Sequence, residues 1–185
     1  RNTKQISDYL VAFAKEHGFD YVQDEMNNVI IYKPATPGYE NAPTVILQGH
    51  MDMVCEKRPD VQHDFEKDGL NLSVKDGYVT ANGTTLGGDD GIAVAYALAL
   101  LDSTDLPHPA LEVLITVDEE IGLLGAVGLD CSVLKGKRMI NMDSEAEGSL
   151  WISCAGGLSA VSHIPVARVD AEGEKLQIKV CGLMG

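Results

Sequence analysis

The sequence is poor in basic and aromatic residues, and it has no long apolar run. Its 14 Lys and Arg residues are outnumbered by 28 Asp and Glu residues, which gives a formal net charge of −14 at pH 7. That charge disfavours binding to nucleic acid or to an anionic membrane surface. The longest apolar run covers only residues 92–101, whereas a membrane-spanning helix needs about 18 or more such residues. We therefore expect neither nucleic acid nor a membrane as a partner.

Cysteine is also scarce, and the motifs of nucleophilic serine and nucleotide chemistry are missing. The four cysteines form no Cys-x-x-Cys pair, which favours free thiols in a reducing cytoplasm. The sequence contains no Gly-x-Ser-x-Gly motif, phosphate-binding loop or dinucleotide fingerprint. With 185 residues, 45% of them hydrophobic but only 5% aromatic, the chain is long enough for one domain with an aliphatic core.

The apolar pattern that is present predicts strands that alternate with helices. Periodicity and turn signals predict helices over residues 2–17, 89–102 and 123–129. They predict strands over residues 19–23, 28–32, 44–50, 72–75, 78–81, 111–117, 139–143, 150–154, 158–166 and 176–180. This order of elements is typical of an α/β fold with a mixed β-sheet flanked by helices.

Several of these elements begin or end at acidic residues, and one of them ends at a His. His50 and Asp52 follow an apolar run, and the later groups are Asp89-Asp90, Asp118-Glu119-Glu120 and Asp143. Ligands of open α/β sheets bind at the carboxyl ends of the strands. Acids gathered at that edge would repel one another unless a cation lay between them. The pattern therefore predicts a metal centre.

Each of these groups also has an ordinary structural interpretation. A single His is commonly a satisfied core residue, Asp89-Asp90 can be a helix cap followed by a first-turn acid, and residues 118–120 can be a solvated turn. Carboxylate oxygens with an imidazole suit Zn²⁺, and Mn²⁺ or Co²⁺ also fit. The lack of a thiolate cluster argues against a structural zinc site.

Four segments together have the order and spacing of a known family. The chain resembles the co-catalytic zinc dipeptidases, and among them the aminoacyl-histidine (Xaa-His, or cytosol non-specific) dipeptidase family, over nearly its whole length. The resemblance implies a zinc-exopeptidase-like three-layer α/β/α sandwich. The segments are Gly49-His50-Met51-Asp52-Met53-Val54-Cys55-Glu56-Lys57, Thr84-Thr85-Leu86-Gly87-Gly88-Asp89-Asp90-Gly91, Thr116-Val117-Asp118-Glu119-Glu120-Ile121-Gly122 and Asn141-Met142-Asp143-Ser144-Glu145.

The resemblance also implies a role for each matching residue. The first of two zinc ions would be bound by His50 and Asp143, and Asp89 would bridge both ions. In this family the peptide bond between the residues at positions 89 and 90 is often cis. Glu120 would bind the second zinc. Two catalytic roles remain: Asp52 would position the site, and Glu119 would be the general base for a water activated by the two ions. The implied activity is hydrolysis of dipeptides, of Xaa-His type or of broad specificity.

The ends of the chain depart from this family. Its members carry a further His near their C-terminus as a ligand of the second zinc, and a lid domain inserted after a segment that resembles residues 182–185. We therefore expect residues 1–185 to be the N-terminal part of the catalytic domain, and to hydrolyse little or nothing alone. The full-length protein would be cytoplasmic, and it would be a candidate homodimer through the lid.

Two other functions remain open from the sequence. A deacylase or carboxypeptidase of the same superfamily would use the same metal centre on another amide. A non-catalytic metal-binding or interaction domain would retain the metal ligands but not the catalytic activity. Glu119 argues against the second alternative, because a structural metal site does not need an unliganded base beside a ligand.

Overall fold

The computed structural model describes residues 2–144, 147–154, 156–157, 160–167, 170, 172–174 and 176–181. The chain divides into two compact units, Arg1–Ala146 and Glu147–Gly185. Among the described residues, every helix and strand belongs to the first unit. No described helix is long and apolar enough to cross a membrane.

The first unit alternates strands with helices, as the apolar pattern predicts. Its helices are α1 (Lys4–Glu16), α2 (Gly88–Asp102) and α3 (Leu124–Gly128), and a 3₁₀ turn covers Cys131–Val133. Its strands are β1 (Asp20–Gln23), β2 (Val29–Lys33), β3 (Val45–His50), β4 (Leu72–Lys75), β5 (Tyr78–Ala81), β6 (Leu111–Thr116) and β7 (Arg138–Asn141).

Five of the strands form a mixed sheet in the order β1-β2-β6-β3-β7. Strand β3 is parallel to both β6 and β7, whereas β1 and β2 are antiparallel to their neighbours. His50, at the end of β3, is in register with Thr116 at the end of β6. The carboxyl ends of the three parallel strands therefore meet at one edge of the sheet. The other two strands form the hairpin predicted around Asp76-Gly77.

Both faces of the sheet are covered at strands β2, β3 and β6, whereas β7 at the edge is exposed. Alternate residues of β2, β3 and β6 point to opposite faces, since the side-chain period of a strand is two. One face packs against α1 and α2 in the main core, and the other packs against residues near the 3₁₀ turn. The first core includes Leu10, Ile31, Leu47, Leu101, Val113 and Ile115, and the second includes Ile30, Ile46, Leu114, Leu129 and Leu134. The prediction of a mixed sheet with flanking helices is confirmed.

The strands predicted over residues 150–154, 158–166 and 176–180 are wrong for the residues that the structure describes. None of the described residues in these stretches is in a strand. Residues 158 and 159 lie outside the described part. Apolar residues such as Leu150, Ile152 and Val161 are exposed there. An alternating apolar pattern forms a strand only where a neighbouring strand pairs with its backbone, and the pattern alone does not supply that neighbour.

Candidate metal centre

His50 is the last residue of β3, and its imidazole is almost fully buried. The Nδ1 atom lies 3.0 Å from the backbone carbonyl oxygen of Asp52 and 3.3 Å from Oδ1 of the Asp52 carboxylate. Both oxygens only accept hydrogen bonds, so Nδ1 carries the hydrogen and donates it. The ring is thereby oriented with its other nitrogen, Nε2, toward the acids at the edge of the sheet.

Three carboxylates from three different segments surround Nε2 of His50. The distances are 3.0 Å to Oδ1 of Asp89, 3.8 Å to Oε2 of Glu119 and 4.0 Å to Oδ2 of Asp143. Among the described residues, no Lys or Arg forms an ion pair with Asp89 or Glu119. Within the described part of the chain, the imidazole of His50 is therefore the one basic group that pairs with these two acids.

Two neighbouring acids at the start of α2 have different surroundings. Asp89 and Asp90 have non-helical backbone angles, and the peptide bond between them is cis, as the resemblance implies. The side chain of Asp89 is half-exposed, whereas Asp90 is buried. Oδ2 of Asp90 accepts a hydrogen bond of 3.1 Å from the backbone N–H of His50. Asp90 therefore ties the start of α2 to the end of β3.

Glu119 and Glu120 lie in a loop over residues 117–125, which we call the acid loop. Asp52 holds this loop: its Oδ1 accepts the N–H of Glu119 at 3.0 Å, and its Oδ2 accepts the N–H of Glu120 at 3.2 Å. The same carboxylate faces Nδ1 of His50. One buried carboxylate thus orients the imidazole and the backbone of both glutamates.

The cluster shifts the proton affinities of its members. Burial opposes a charge on His50, but its hydrogen bond to Asp89 and the charge of Asp52 outweigh that effect and raise the pKa of the imidazole. Burial also raises the pKa of Glu119, and it raises the pKa of Asp90 to about 6. Acids that are crowded and partly buried hold protons more readily, and a cation among them would reverse this tendency.

The donor set fits a divalent metal ion. Two groups of three side chains each place one ligand atom per residue within 4.8 Å of the others: His50 with Asp89 and Glu120, and His50 with Asp90 and Asp143. The buried Nδ1 contacts leave Nε2 as the ligand atom of the imidazole. Nitrogen from one His with several carboxylate oxygens is a set that binds Zn²⁺ and similar ions.

The comparison with known proteins agrees with this geometry. Residues 46–151 match the model of Peptidase family M20/M25/M40. The chain belongs to this family. It is 44% identical over 184 residues to the cytosol non-specific dipeptidase of Escherichia coli (strain K12), an alignment that covers 98% of this chain and 38% of that protein. The chain thus spans well under half the length of this M20 relative.

Solved structures of related proteins share the fold. The aminoacylhistidine dipeptidase of Vibrio alginolyticus superposes with a TM-score of 0.76 at 48% identity, over 78% of this chain and 30% of that one. The aminopeptidase PepT of Bacillus cereus ATCC 10987 superposes with a TM-score of 0.62 at 30% identity, over 77% of this chain and 38% of that one. The resemblance inferred from the four segments is confirmed.

The structure gathers the residues named from the M20 resemblance at one edge of the sheet. They are His50, Asp52, Asp89, Glu119, Glu120 and Asp143. Strand β3 ends at His50, and Asp52 lies two residues beyond it, with its carboxylate and its backbone carbonyl facing Nδ1 of His50. Which ion each residue binds stays a prediction.

Two polar residues of this M20 chain have roles that sequence reasoning missed. The sequence shows Asp90 only as the neighbour of Asp89 and does not indicate its bond to the His50 backbone. It places Asn28 only in a strand, whereas in the structure Asn28 is buried and contacts both ends of the acid loop. In the sequence, the one available signal for this role is an Asn directly before an apolar strand, and that signal does not identify the partners of the side chain.

Proposed function

We propose that this chain is the metal-binding part of a metallodipeptidase, the N-terminal part of its catalytic domain. The observation that carries the proposal is the set of carboxylates from Asp89, Glu119 and Asp143 within 4.0 Å of Nε2 of a buried His50. The strong similarity to a dipeptidase of known name supports the same assignment.

The proposed metal is zinc, with two ions in the complete site. His50, Asp89 and Asp143 would hold one ion, and Asp89 with Glu120 would contribute to the other. Bound zinc would supply Lewis-acid chemistry, which polarises a carbonyl oxygen and lowers the pKa of water. Mn²⁺ and Co²⁺ accept the same ligand atoms.

The protein's own groups would orient the site and move the proton. Asp52 holds His50 in one tautomer and fixes the backbone of Glu119 and Glu120. Glu119 is the proposed general base, because it lies at the cluster without belonging to either three-residue ligand group. A carboxylate in this place would accept a proton from water and deliver it to the leaving amine.

A dipeptide is the proposed substrate, of Xaa-His type or of broad specificity. The relatives named as dipeptidases are 44% and 48% identical to this chain, whereas the neighbour named as an aminopeptidase is 30% identical. We also propose a cytoplasmic location, supported by the name of the cytosol dipeptidase and by four free thiols. Dimerisation through a lid domain stays a prediction.

The test compares hydrolysis of a free Xaa-His dipeptide, a tripeptide and an N-acylated amino acid by the full-length protein with added Zn²⁺. We expect the dipeptide to be cleaved fastest, cleavage to stop when a chelator removes the metal, and zinc to restore it. Glu119→Gln should lower kcat by about 10² to 10⁴, the usual contribution of a general base, and should still bind zinc.

The matched control is Asp118→Asn, next to the proposed base. The backbone of Asp118 has a positive φ of 53°, which Asn tolerates as well as Asp. This variant should keep wild-type activity within about threefold, because Asp118 belongs to neither three-residue ligand group and Asn keeps its shape. Faster cleavage of the N-acylated amino acid would favour a deacylase instead. Zinc binding without any hydrolysis would favour a non-catalytic metal domain.

A further inference from the structure

The acid loop is closed at its base. The N–H of Gly125 donates to the carbonyl of Val117 at 3.1 Å, and the N–H of Leu124 donates to the carbonyl of Asp118 at 3.1 Å. Within the loop, Asp118 and Leu123 both have positive φ angles, of 53° and 60°. Such an angle is unfavourable for Leu123 unless surrounding contacts hold it. The position of the two glutamates therefore depends on what fastens the loop.

Asn28 fastens both ends of the acid loop with one side chain. The residue is 1% exposed and comes directly before β2. Its Oδ1 accepts a hydrogen bond of 3.0 Å from the N–H of Val117, and its Nδ2 donates one of 2.9 Å to the carbonyl of Gly125. The amide thus bridges the residue that leaves β6 and a residue of α3.

Asp24 fixes the orientation of the Asn28 amide. Its Oδ2 accepts from Nδ2 of Asn28 at 2.6 Å, and its Oδ1 accepts the backbone N–H of Asn28 at 2.9 Å. The carboxylate can only accept, so the amide nitrogen must face Asp24 and the amide oxygen must face Val117. The bridge to the acid loop is therefore locked in one orientation.

Gly125 leaves room for this bridge. A Cβ atom at this position would lie 2.4 Å from the carbonyl oxygen of Val117 and 2.5 Å from Oδ1 of Asn28. Any larger residue would force the base of the loop open. The base of the acid loop is therefore closed by three residues together: Asn28, Val117 and Gly125.

We propose that Asn28 is a positioning residue for Glu119 and Glu120, an inference that rests on the function proposed above for these two glutamates. The acid loop is held at two points: Asp52 accepts the N–H groups of both glutamates, and Asn28 holds the base beside them. Removal of the Asn28 amide leaves the N–H of Val117 and the carbonyl of Gly125 without their buried partner. The loop then opens at its base and Glu120 loses its fixed place beside His50 and Asp89.

The test measures Zn²⁺ affinity with a competing chelator in the full-length protein, as wild type, Asn28→Ala, Glu120→Gln and the double variant. Loss of a residue that orients a metal ligand usually lowers metal affinity about 10- to 100-fold, and we expect this loss for Asn28→Ala. In the Glu120→Gln background the same change should cost less than about threefold, because residues that act through one another are not additive.

A matched control distinguishes a role of Asn28 in positioning the glutamates from a general effect on stability. Glu112→Gln removes another buried carboxylate that fastens a loop, since Glu112 accepts the N–H groups of Lys135 and Gly136 at 2.9 and 3.0 Å. Glu112 lies near the opposite end of β6 from the acid loop. This variant should keep zinc affinity even if it unfolds more easily. If Asn28→Ala does not fold, Asn28→Thr keeps nearly the same side-chain volume and adds no charge beside Asp24, and its single hydroxyl cannot bridge both Val117 and Gly125.

Two results would overturn the proposal: wild-type zinc affinity in a folded Asn28 variant, or an equal loss in both backgrounds. Amide hydrogen exchange of the metal-free protein separates this failure from failure of the proposed function. If the wild-type protein binds no zinc, the proposed function fails. Faster exchange of residues 117–125 in Asn28→Ala, but not in Glu112→Gln, would then still support the positioning step, and unchanged exchange would reject it.

Discussion

Each polar residue at the edge of the sheet makes more than one contact, and the contacts decide its chemistry. Asp52 faces Nδ1 of His50 and also accepts the N–H groups of Glu119 and Glu120. Because Nδ1 is committed to Asp52, only Nε2 of the imidazole is available to a metal ion. In the metal-free protein this nitrogen lies 3.0 Å from the Asp89 carboxylate, a contact that raises the pKa of His50.

Zinc binding should therefore depend on pH through His50. A metal ion must displace the proton from Nε2, and the raised pKa of His50 keeps that proton bound to a higher pH than in a free imidazole. Zinc affinity should fall as the pH falls through this pKa, by about tenfold per pH unit for one displaced proton. Calorimetry in buffers of different ionisation enthalpy would measure the proton release.

The control for this experiment is Asp118→Asn, which should show the wild-type pH dependence. An affinity that is constant between about pH 5.5 and 8, the range in which His titrates, would contradict the assignment of His50 as a ligand.

At the scale of elements, the centre depends on how closely α2 approaches β3. A Cβ atom at Gly49 would lie 2.6 Å from the Cβ of Ala93 and 2.6 Å from Oδ2 of Asp90. Only glycine in the strand allows the bond from the His50 backbone to Asp90 to form while the helix packs on the sheet. The position of α2 relative to β3 therefore decides where Asp89 and Asp90 lie relative to His50.

Gly49→Ala should therefore destabilise the protein and disturb the centre together. The added methyl group overpacks a buried contact, which usually costs about 1–3 kcal/mol of unfolding free energy. Urea denaturation of the metal-free protein would measure the loss. Gly69→Ala is the control, because a Cβ there would meet no atom within 4 Å. Equal stability of the two variants would show that α2 and β3 do not pack as closely as described.

The sequence predicted the elements that have strong local patterns. The apolar runs over residues 44–50, 111–117 and 139–143 predicted the three parallel strands, which the structure places at Val45–His50, Leu111–Thr116 and Arg138–Asn141. Local patterns did not give the roles of Asn28 and Asp90. Asn28 bonds to a residue 89 positions away, and Asp90 bonds to one 40 positions away. Only the folded sheet brings these partners together.

The same limit explains why the strand predictions are wrong for the described residues of 150–154, 158–166 and 176–180. Their apolar alternation is the pattern of strands, but a strand also requires a paired neighbour, which may lie anywhere in a chain and leaves no local signal. In the candidate centre, by contrast, each acid lies next to a well-marked element. The site could therefore be located from the sequence, whereas the contacts that hold it could not.

At the scale of the molecule, an acidic chain of net charge −14 brings one His and several carboxylates together in groups that could hold a metal ion. All the described residues that form this centre belong to the first unit, Arg1–Ala146. The claim can therefore be tested on the 185-residue chain without any assumption about the substrate.

The most direct test is elemental analysis of the chain after exhaustive dialysis, for the wild type, Asp89→Ala and Asp118→Asn. We expect about one zinc ion per chain in the wild type and in Asp118→Asn, and close to none in Asp89→Ala, because Asp89 lies nearest to Nε2 of His50. A wild-type chain without stoichiometric metal, or an Asp89→Ala variant that keeps it, would contradict the account.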